Sequence, residues 1–232
     1  MMWGFFDPMY LMFAIPGLIL AMIASFMTKS TFNKYSRVAS QTGLTGAEAA
    51  RKLLSSAGIN DVSIEQVQGF LSDHYDPTAK KLRLSPKVYG SNSLSAIGVA
   101  CHEAGHAIQH AYKFAPLHLR TALVPATNFA SNISYFVIMA GFFISPKLIF
   151  LGALLFSVAV LFSIVTLPVE WDASHRAKKL MVEAGVVNRS ESAIAGNVLN
   201  AAFLTYVAAA VSSLLTLLYY LMRSGVFGGG DD

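Results

Sequence analysis

The stretch LIFLGALLFSVAVLFSIVTLPV, residues 148–169, contains no charged side chain. A helix needs about 20 apolar residues to cross a hydrocarbon core of ~30 Å, so this stretch is long enough to span a bilayer. Three more uncharged stretches of comparable length occur at residues 9–27, 121–146 and 192–222. The sequence therefore predicts a mainly α-helical polytopic membrane protein with four transmembrane helices.

Composition supports this fold class. Hydrophobic residues make up 54% of the chain, charged residues 13%, and the mean hydropathy is +0.52, whereas about a quarter of the residues in soluble domains are charged. The net charge of +4 follows from cationic loops on the inner side of a membrane, and we expect no nucleic-acid partner. The first apolar stretch lacks the preceding positive charge and the cleavage site of a signal peptide. Cys101 is the only cysteine, which excludes an intrachain disulfide.

The Lys and Arg residues predict how the chain is oriented, because they collect in the segments that follow the first and third apolar stretches. Both segments are expected in the cytoplasm, with the N- and C-termini outside. The predicted order along the chain is a first transmembrane helix with a short external N-terminus (1–28), a cytoplasmic region (29–120), a transmembrane hairpin of helices two and three (121–168), a cytoplasmic helix (169–200), a fourth transmembrane helix (201–222) and a flexible external tail (223–232).

Local signals predict the secondary structure of the cytoplasmic region. The sequence Thr45-Gly-Ala-Glu48 is a capping box, and it predicts a helix over residues 46–57 that ends at Gly58. Residues 62–67 and 81–85 alternate between apolar and polar on either side of a turn-rich DHYDPT, which predicts a β-hairpin or a pair of short strands. A further helix is expected from about residue 93 to Tyr112.

That last helix contains CHEAGHAIQH, residues 101–110, which includes the pattern H-E-x-x-H. Residues four apart lie on the same face of a helix, so His102 and His106 can bind one zinc ion. Glu103 is rotated by about 100° from His102 and is placed to act as general base on a zinc-bound water. His110, one turn further on, is interpreted as a bystander on the helix surface. The alternative to a metal site is a pair of surface histidines beside a solvated glutamate.

A catalytic zinc has three protein ligands and one open position, so a third ligand must come from elsewhere in the chain. The metzincin pattern is excluded because Gln109 and Tyr112 stand where it requires Gly and His. The aspartate that a site-2-type protease takes from a later span is also missing from the later spans. The remaining candidates are His110, His118, Glu170, Asp172, His175, Glu183 and Glu191. The hairpin returns Glu170 to the membrane face of the motif, and Pro168 predicts a helix start with Glu170 in its first turn.

CHEAGHAIQH, the upstream DHYDP, the downstream LPVEWDASHRA and the four spans together resemble the YugP-type membrane zinc metallopeptidases of bacteria over essentially the whole chain. That family resembles the HtpX and CAAX-protease gluzincins, whose third zinc ligand is the Glu of E-x-x-A-D. The resemblance implies a zincin-like α+β region carrying the motif, a bacterial cell membrane as location, and Glu170 as third ligand. Ala173 matches the pattern. Ser174 stands at the Asp position, so the group that orients a ligand is altered.

The expected activity is hydrolysis of peptide bonds in membrane or membrane-proximal proteins and peptides, with one zinc ion and Glu103 as base. The candidates for orienting a ligand or stabilising an oxyanion are Ser174, His175, Arg176, His74 and Tyr112. Two alternatives remain open at this point: a non-proteolytic scaffold that binds zinc, and a zinc-dependent hydrolase of a lipid or a non-peptide amide. The sequence predicts nothing about oligomeric state.

Overall fold

The computed structural model describes residues 7–69 and 72–226. The elements, in chain order, are α1 (Pro8–Tyr35), α2 (Gly46–Ser56), β1 (Ser63–Gln66), β2 (His74–Asp76), β3 (Lys81–Leu84), α3 (Pro86–Tyr89), α4 (Leu94–Ala111), α5 (Ala115–Ile144), α6 (Pro146–Glu183) and α7 (Arg189–Arg223). Most of the described chain is helical, as predicted. Residues 1–6, within the predicted external N-terminus, and 227–232, within the predicted tail, lie outside the described residues.

The helices α1, α5, α6 and α7 are each long and apolar enough to cross a membrane, which confirms the four predicted spans. Their surfaces carry large apolar side chains that a soluble protein would bury. Phe26 is 73% exposed and Phe143 is 84% exposed. Contiguous exposed apolar surface of this kind is suited to lipid contact, and the chain is a multi-pass membrane protein.

The helix α6 differs from the sequence-based expectation at Pro168. The prediction that a helix begins at Pro168 is wrong, because α6 continues without interruption from Pro146 to Glu183. Proline removes a backbone donor, but long membrane helices tolerate the loss where neighbouring groups compensate. Glu170 therefore lies on the same continuous helix as the third span.

The described residues divide into two compact units. One unit comprises residues 25–118 and 168–204, and the other is built from the remaining parts of the four long helices. The first of these units contains the sheet, the helix α4 with the H-E-x-x-H motif, and Glu170.

The helices of this unit begin and end as their sequences predict. Thr45 accepts from the backbone N–H of Glu48, and the Glu48 carboxylate accepts from the backbone N–H of Thr45, which confirms the capping box at α2. Gly58 follows with a φ of 72°, a conformation suited to glycine. The helix α4 has the predicted extent, with Ser93 as its N-cap.

The sheet has the strand order β1–β3–β2. Of the two alternatives predicted for residues 62–67 and 81–85, the pair of short strands is confirmed, and the hairpin is wrong because β1 and β3 are parallel neighbours. The DHYDPT segment, predicted as a turn, supplies β2, which pairs antiparallel with β3. Helix α4 packs on α2, and their buried side chains share one apolar core with the sheet. The core includes Leu53, Leu82, Leu84, Ile97, Ile108 and Met181.

Candidate metal centre

Two elements bring together three side chains that could bind a metal ion. His102 and His106 come from successive turns of α4, and Glu170 comes from α6. One ligand atom of each lies within 4.8 Å of the others. The carboxylate atom Oε2 of Glu170 is 3.1 Å from Nε2 of His102 and 3.4 Å from Nε2 of His106.

These distances fit a zinc ion. Four ligand atoms placed tetrahedrally at ~2.1 Å from zinc are about 3.4 Å apart, close to the two separations measured here. Two imidazoles and a carboxylate are also the donor set of many catalytic zinc sites. Glu170 and His106 are only 2% and 8% exposed, so most of the set is shielded from water.

The two histidines are held by their other ring nitrogens. Nδ1 of His102 lies at hydrogen-bond distance from Oγ of Ser174, 3.1 Å, and Nδ1 of His106 donates to Oε1 of Gln109 over 3.0 Å. A hydrogen bond from Nδ1 fixes the tautomer and directs the lone pair of Nε2 toward a metal. Ser174 thus contacts His102 from the position at which the resemblance expects an aspartate.

Gln109 is fixed in turn by a chain of polar contacts. Its amide Nε2 donates to the carbonyl of Val169 and to Oδ2 of Asp172, over 2.8 Å in both cases. The Arg176 guanidinium donates to the same Asp172 oxygen. Because the amide nitrogen is committed to these acceptors, only Oε1 can face His106, and the ring of His106 must donate from Nδ1.

The electrostatics of the metal-free site favour a proton on His106. Burial lowers the pKa of His106, but the hydrogen bond and negative charge of Glu170, with a further contribution from Glu103, outweigh it and raise the pKa to about 9. Glu103 is half-buried, and its negative charge contributes to the raised pKa of His106.

A close approach of two helices makes the ligand set possible. A Cβ added at Gly105 would lie 2.7 Å from the carbonyl oxygen of Ala173. Only glycine therefore permits α4 to approach α6 at this point. Ala173 is itself fully buried and lies between Glu170 and Ser174 on α6, so this contact sets the position of both.

The other candidates lie apart from the metal ligands. His74 is exposed and contacts Ser72 and Arg83. Tyr112 is 62% exposed, with its hydroxyl directed to the carbonyl of Ala57. His175 is exposed.

Nδ1 of His110 is 2.9 Å from the hydroxyl of Tyr75, and both line a cavity of about 390 Å³ together with Lys80 and His118. His110 is therefore not a member of the metal-binding group, although it faces a cavity rather than open surface.

The roles of Gln109 and Asp172 in orienting His106 were not foreseen from the sequence. One signal was available for Gln109. It is a polar residue three positions after a metal-binding histidine, within an apolar helix, and such a residue is buried only if it has partners. For Asp172 the sequence predicts only a possible metal ligand, because it does not show which helix this side chain faces.

Comparison with known proteins identifies the class. A family model described as "Putative neutral zinc metallopeptidase" matches residues 10–225, and the chain belongs to this family. The chain is also 46% identical over 225 residues to "Putative membrane protease YugP" of Bacillus subtilis (strain 168). That alignment covers 97% of this chain and 99% of the relative. No solved structure matches the chain.

Proposed function

We propose that the protein is a membrane-embedded zinc metalloendopeptidase that cleaves membrane or membrane-proximal proteins at the cytoplasmic face. The observation that carries the proposal is the convergence of His102, His106 and Glu170, with each histidine oriented through Nδ1. Membership in a family of zinc metallopeptidases supports it. Three protein ligands leave a position for water, as in catalytic rather than structural zinc sites.

The chemistry divides between the metal and the chain. When bound, zinc acts as a Lewis acid that lowers the pKa of water toward about 7 and polarises a carbonyl. Glu103 follows His102 directly on α4 and stays partly accessible, so it can take the proton of the attacking water and pass it to the leaving amine. Ser174 and Gln109 keep the two imidazoles in place throughout.

Substrate would bind as an extended chain beside the site. The strand β2 is an edge of the sheet, since its one partner there is β3, and Tyr75 of β2 reaches His110 of α4. A peptide that adds to this edge would run next to the motif helix. An unfolded or juxtamembrane segment can adopt that conformation, whereas a folded domain cannot.

The test compares two carboxylate substitutions in the purified protein. Glu103→Gln should keep one equivalent of zinc and lose about 10²–10⁴-fold in the rate of peptide cleavage, because a general base contributes that much. Glu170→Ala should lose zinc and activity together. Bound zinc is measured by elemental mass spectrometry, and cleavage by mass spectrometry of reconstituted membrane proteins and peptides.

The outcomes separate the alternatives. Unchanged cleavage by Glu103→Gln would rule out this residue as the base, and full zinc in Glu170→Ala would rule out the proposed ligand. A zinc-replete wild type that cleaves no peptide would favour the scaffold, or the hydrolase of a lipid or non-peptide amide, over the peptidase.

A further inference from the structure

We propose that the groove between α1 and α7, at the membrane boundary, binds a phospholipid with an anionic headgroup. The groove is a cavity of about 380 Å³. It lies within the compact unit of residues 25–118 and 168–204, and none of its lining residues belongs to the metal centre.

The groove is apolar at one end and polar at the other. On α1, Met27, Thr31 and Lys34 follow each other at intervals of four and three residues, so they share one face of the helix. On α7, Asn197 and Leu204 are seven residues apart and also share a face.

The two helices run in opposite directions. Ser212 donates to the Gly17 carbonyl, and Thr28 donates to the Ala201 carbonyl, so higher numbers on one helix match lower numbers on the other. Met27 and Leu204 therefore mark one end of the groove. Lys34 and Asn197 mark the other. The change from apolar to polar lining therefore forms a gradient along the helix axes.

This gradient matches the depth profile of a bilayer. The apolar end adjoins the uncharged residues 9–27 of α1. Next to it, Trp171 is 57% exposed and its ring packs edge-on against Phe203 at 5.4 Å between centroids. Exposed tryptophan is typical of the headgroup level of a membrane. Acyl chains would lie at Met27 and Leu204, and the phosphate would lie near Lys34.

The polar end offers cations and amides. Lys178 donates to Oδ1 of Asn200, which lines the groove, over 2.9 Å, and this contact brings a second ammonium to the rim of the groove. In residues 7–69 and 72–226, neither lysine lies within ion-pair distance of a carboxylate. The amide of Asn197 adds a hydrogen-bond donor, and it is exposed. Two ammonium groups and an amide suit a phosphodiester.

The charges of Lys34 and Lys178 also favour an anionic headgroup over a zwitterionic one. A zwitterionic headgroup would bring its own cation toward Lys34 and Lys178, where the groove lining provides no anion to receive it. An anionic headgroup such as phosphatidylglycerol carries the phosphate without that cation. Basic pockets between helices at a membrane boundary bind anionic lipids for this reason. A packed partner helix would instead cover Lys34 and leave its charge unpaired.

The experiment measures lipid retention by the full-length protein. The protein is reconstituted in nanodiscs that contain equal amounts of phosphatidylglycerol and phosphatidylcholine, and bound lipids are counted by native mass spectrometry after release. Wild type should retain phosphatidylglycerol in clear excess. Lys34→Gln should lower the ratio of the two retained lipids by about tenfold, as expected for loss of a charge-assisted hydrogen bond, whereas Lys34→Arg should keep it.

Lys29→Gln is the matched control, because Lys29 is an exposed lysine on the same helix outside the groove. It should leave the ratio unchanged. Asn197→Asp, nearly isosteric and exposed, should lower the ratio by repelling the phosphate, and melting temperatures verify that each variant is folded. A wild-type ratio equal to that of the bulk lipid, or equal losses in Lys29→Gln and Lys34→Gln, would overturn the proposal.

Discussion

The two histidines of the candidate metal centre differ in how firmly their hydrogen-bond partners are held. His102 relies on the Ser174 hydroxyl, which can rotate. His106 relies on Gln109, which is fully buried and tied to Val169 and Asp172. Orientation of a ligand by a neighbouring group commonly changes metal affinity by 10- to 100-fold, so the more rigid partner should matter more.

Gln109→Leu should weaken zinc binding by about 10- to 100-fold. The change keeps the volume of the side chain but leaves Nδ1 of His106 without its acceptor and removes one of the two donors to the Asp172 carboxylate, so stability should also fall by about 1–3 kcal/mol. Ser174→Ala should weaken binding less, because it removes one contact of a rotatable hydroxyl. Zinc affinity is measured by competition with a chromophoric chelator, and equal affinities in Gln109→Leu and wild type would contradict the assigned role.

Zinc binding should release a proton from His106. In the metal-free protein its raised pKa of about 9 means that the imidazole carries a proton at neutral pH. A metal ligand must be deprotonated, so apparent zinc affinity should rise as pH increases toward about 9 and level off above it. Calorimetry at pH 7 in two buffers of different ionisation enthalpy should show release of at least one proton. The contribution of His106 should disappear near pH 10, where only the zinc-bound water still releases a proton, and a buffer-independent heat at pH 7 would refute the linkage.

Among the elements, the contact between α4 and α6 decides whether the ligands meet. Gly105 faces the carbonyl of Ala173, a backbone group that cannot rotate away. A side chain at residue 105 must therefore separate the two helices. Glu170 and Ser174 would move with the backbone of α6, and both act on His102.

Gly105→Ala should abolish zinc binding even though alanine favours helix formation by about 1 kcal/mol over glycine. Gly98→Ala is the matched control on the same helix, because its Cβ would meet its nearest neighbour, the carbonyl of Ala195, at 3.3 Å rather than 2.7 Å. That separation needs an adjustment of only a few tenths of an ångström, so the variant should keep its zinc. Elemental analysis after purification and a thermal unfolding curve check both. Full zinc occupancy in Gly105→Ala would show that zinc binding does not require the close approach of α4 to α6.

The helices and strands also show which parts of the fold can be predicted from the sequence. The helices α2 and α4 follow from their caps, and the four spans follow from uncharged length, because these signals act within a few turns. The strand pairing does not follow, because β1 pairs directly with β3 although β2 lies between them along the chain. The rule that proline marks the start of a helix fails at Pro168, because this proline lies inside the long apolar helix α6. The bond from Gln109 to Asp172 depends on the packing of α4 against α6, which no local pattern encodes.

At the scale of the whole molecule, the same comparisons with known proteins cover both the apolar helices and the candidate metal ligands. The family model covers residues 10–225, and the relative from Bacillus subtilis aligns over 99% of its own length. The four helices that are long and apolar enough to cross a membrane lie almost entirely within residues 10–225, together with His102, His106 and Glu170. The match to the family therefore includes both the apolar helices and the candidate metal ligands.

The proposed orientation can be tested with single introduced cysteines. The natural Cys101 is fully buried, and burial raises the pKa of its thiol to about 12, so it should stay unreactive toward maleimides at neutral pH. Lys147 lies in the first turn of α6, directly after the connection from α5. A cysteine introduced there by Lys147→Cys should react with a membrane-impermeant maleimide on intact cells. Lys87→Cys, equally a surface position, should react only after permeabilisation, because the positive-inside rule places its segment in the cytoplasm. The reverse labelling pattern would place the candidate metal centre on the outer face and exclude cytoplasmic substrates.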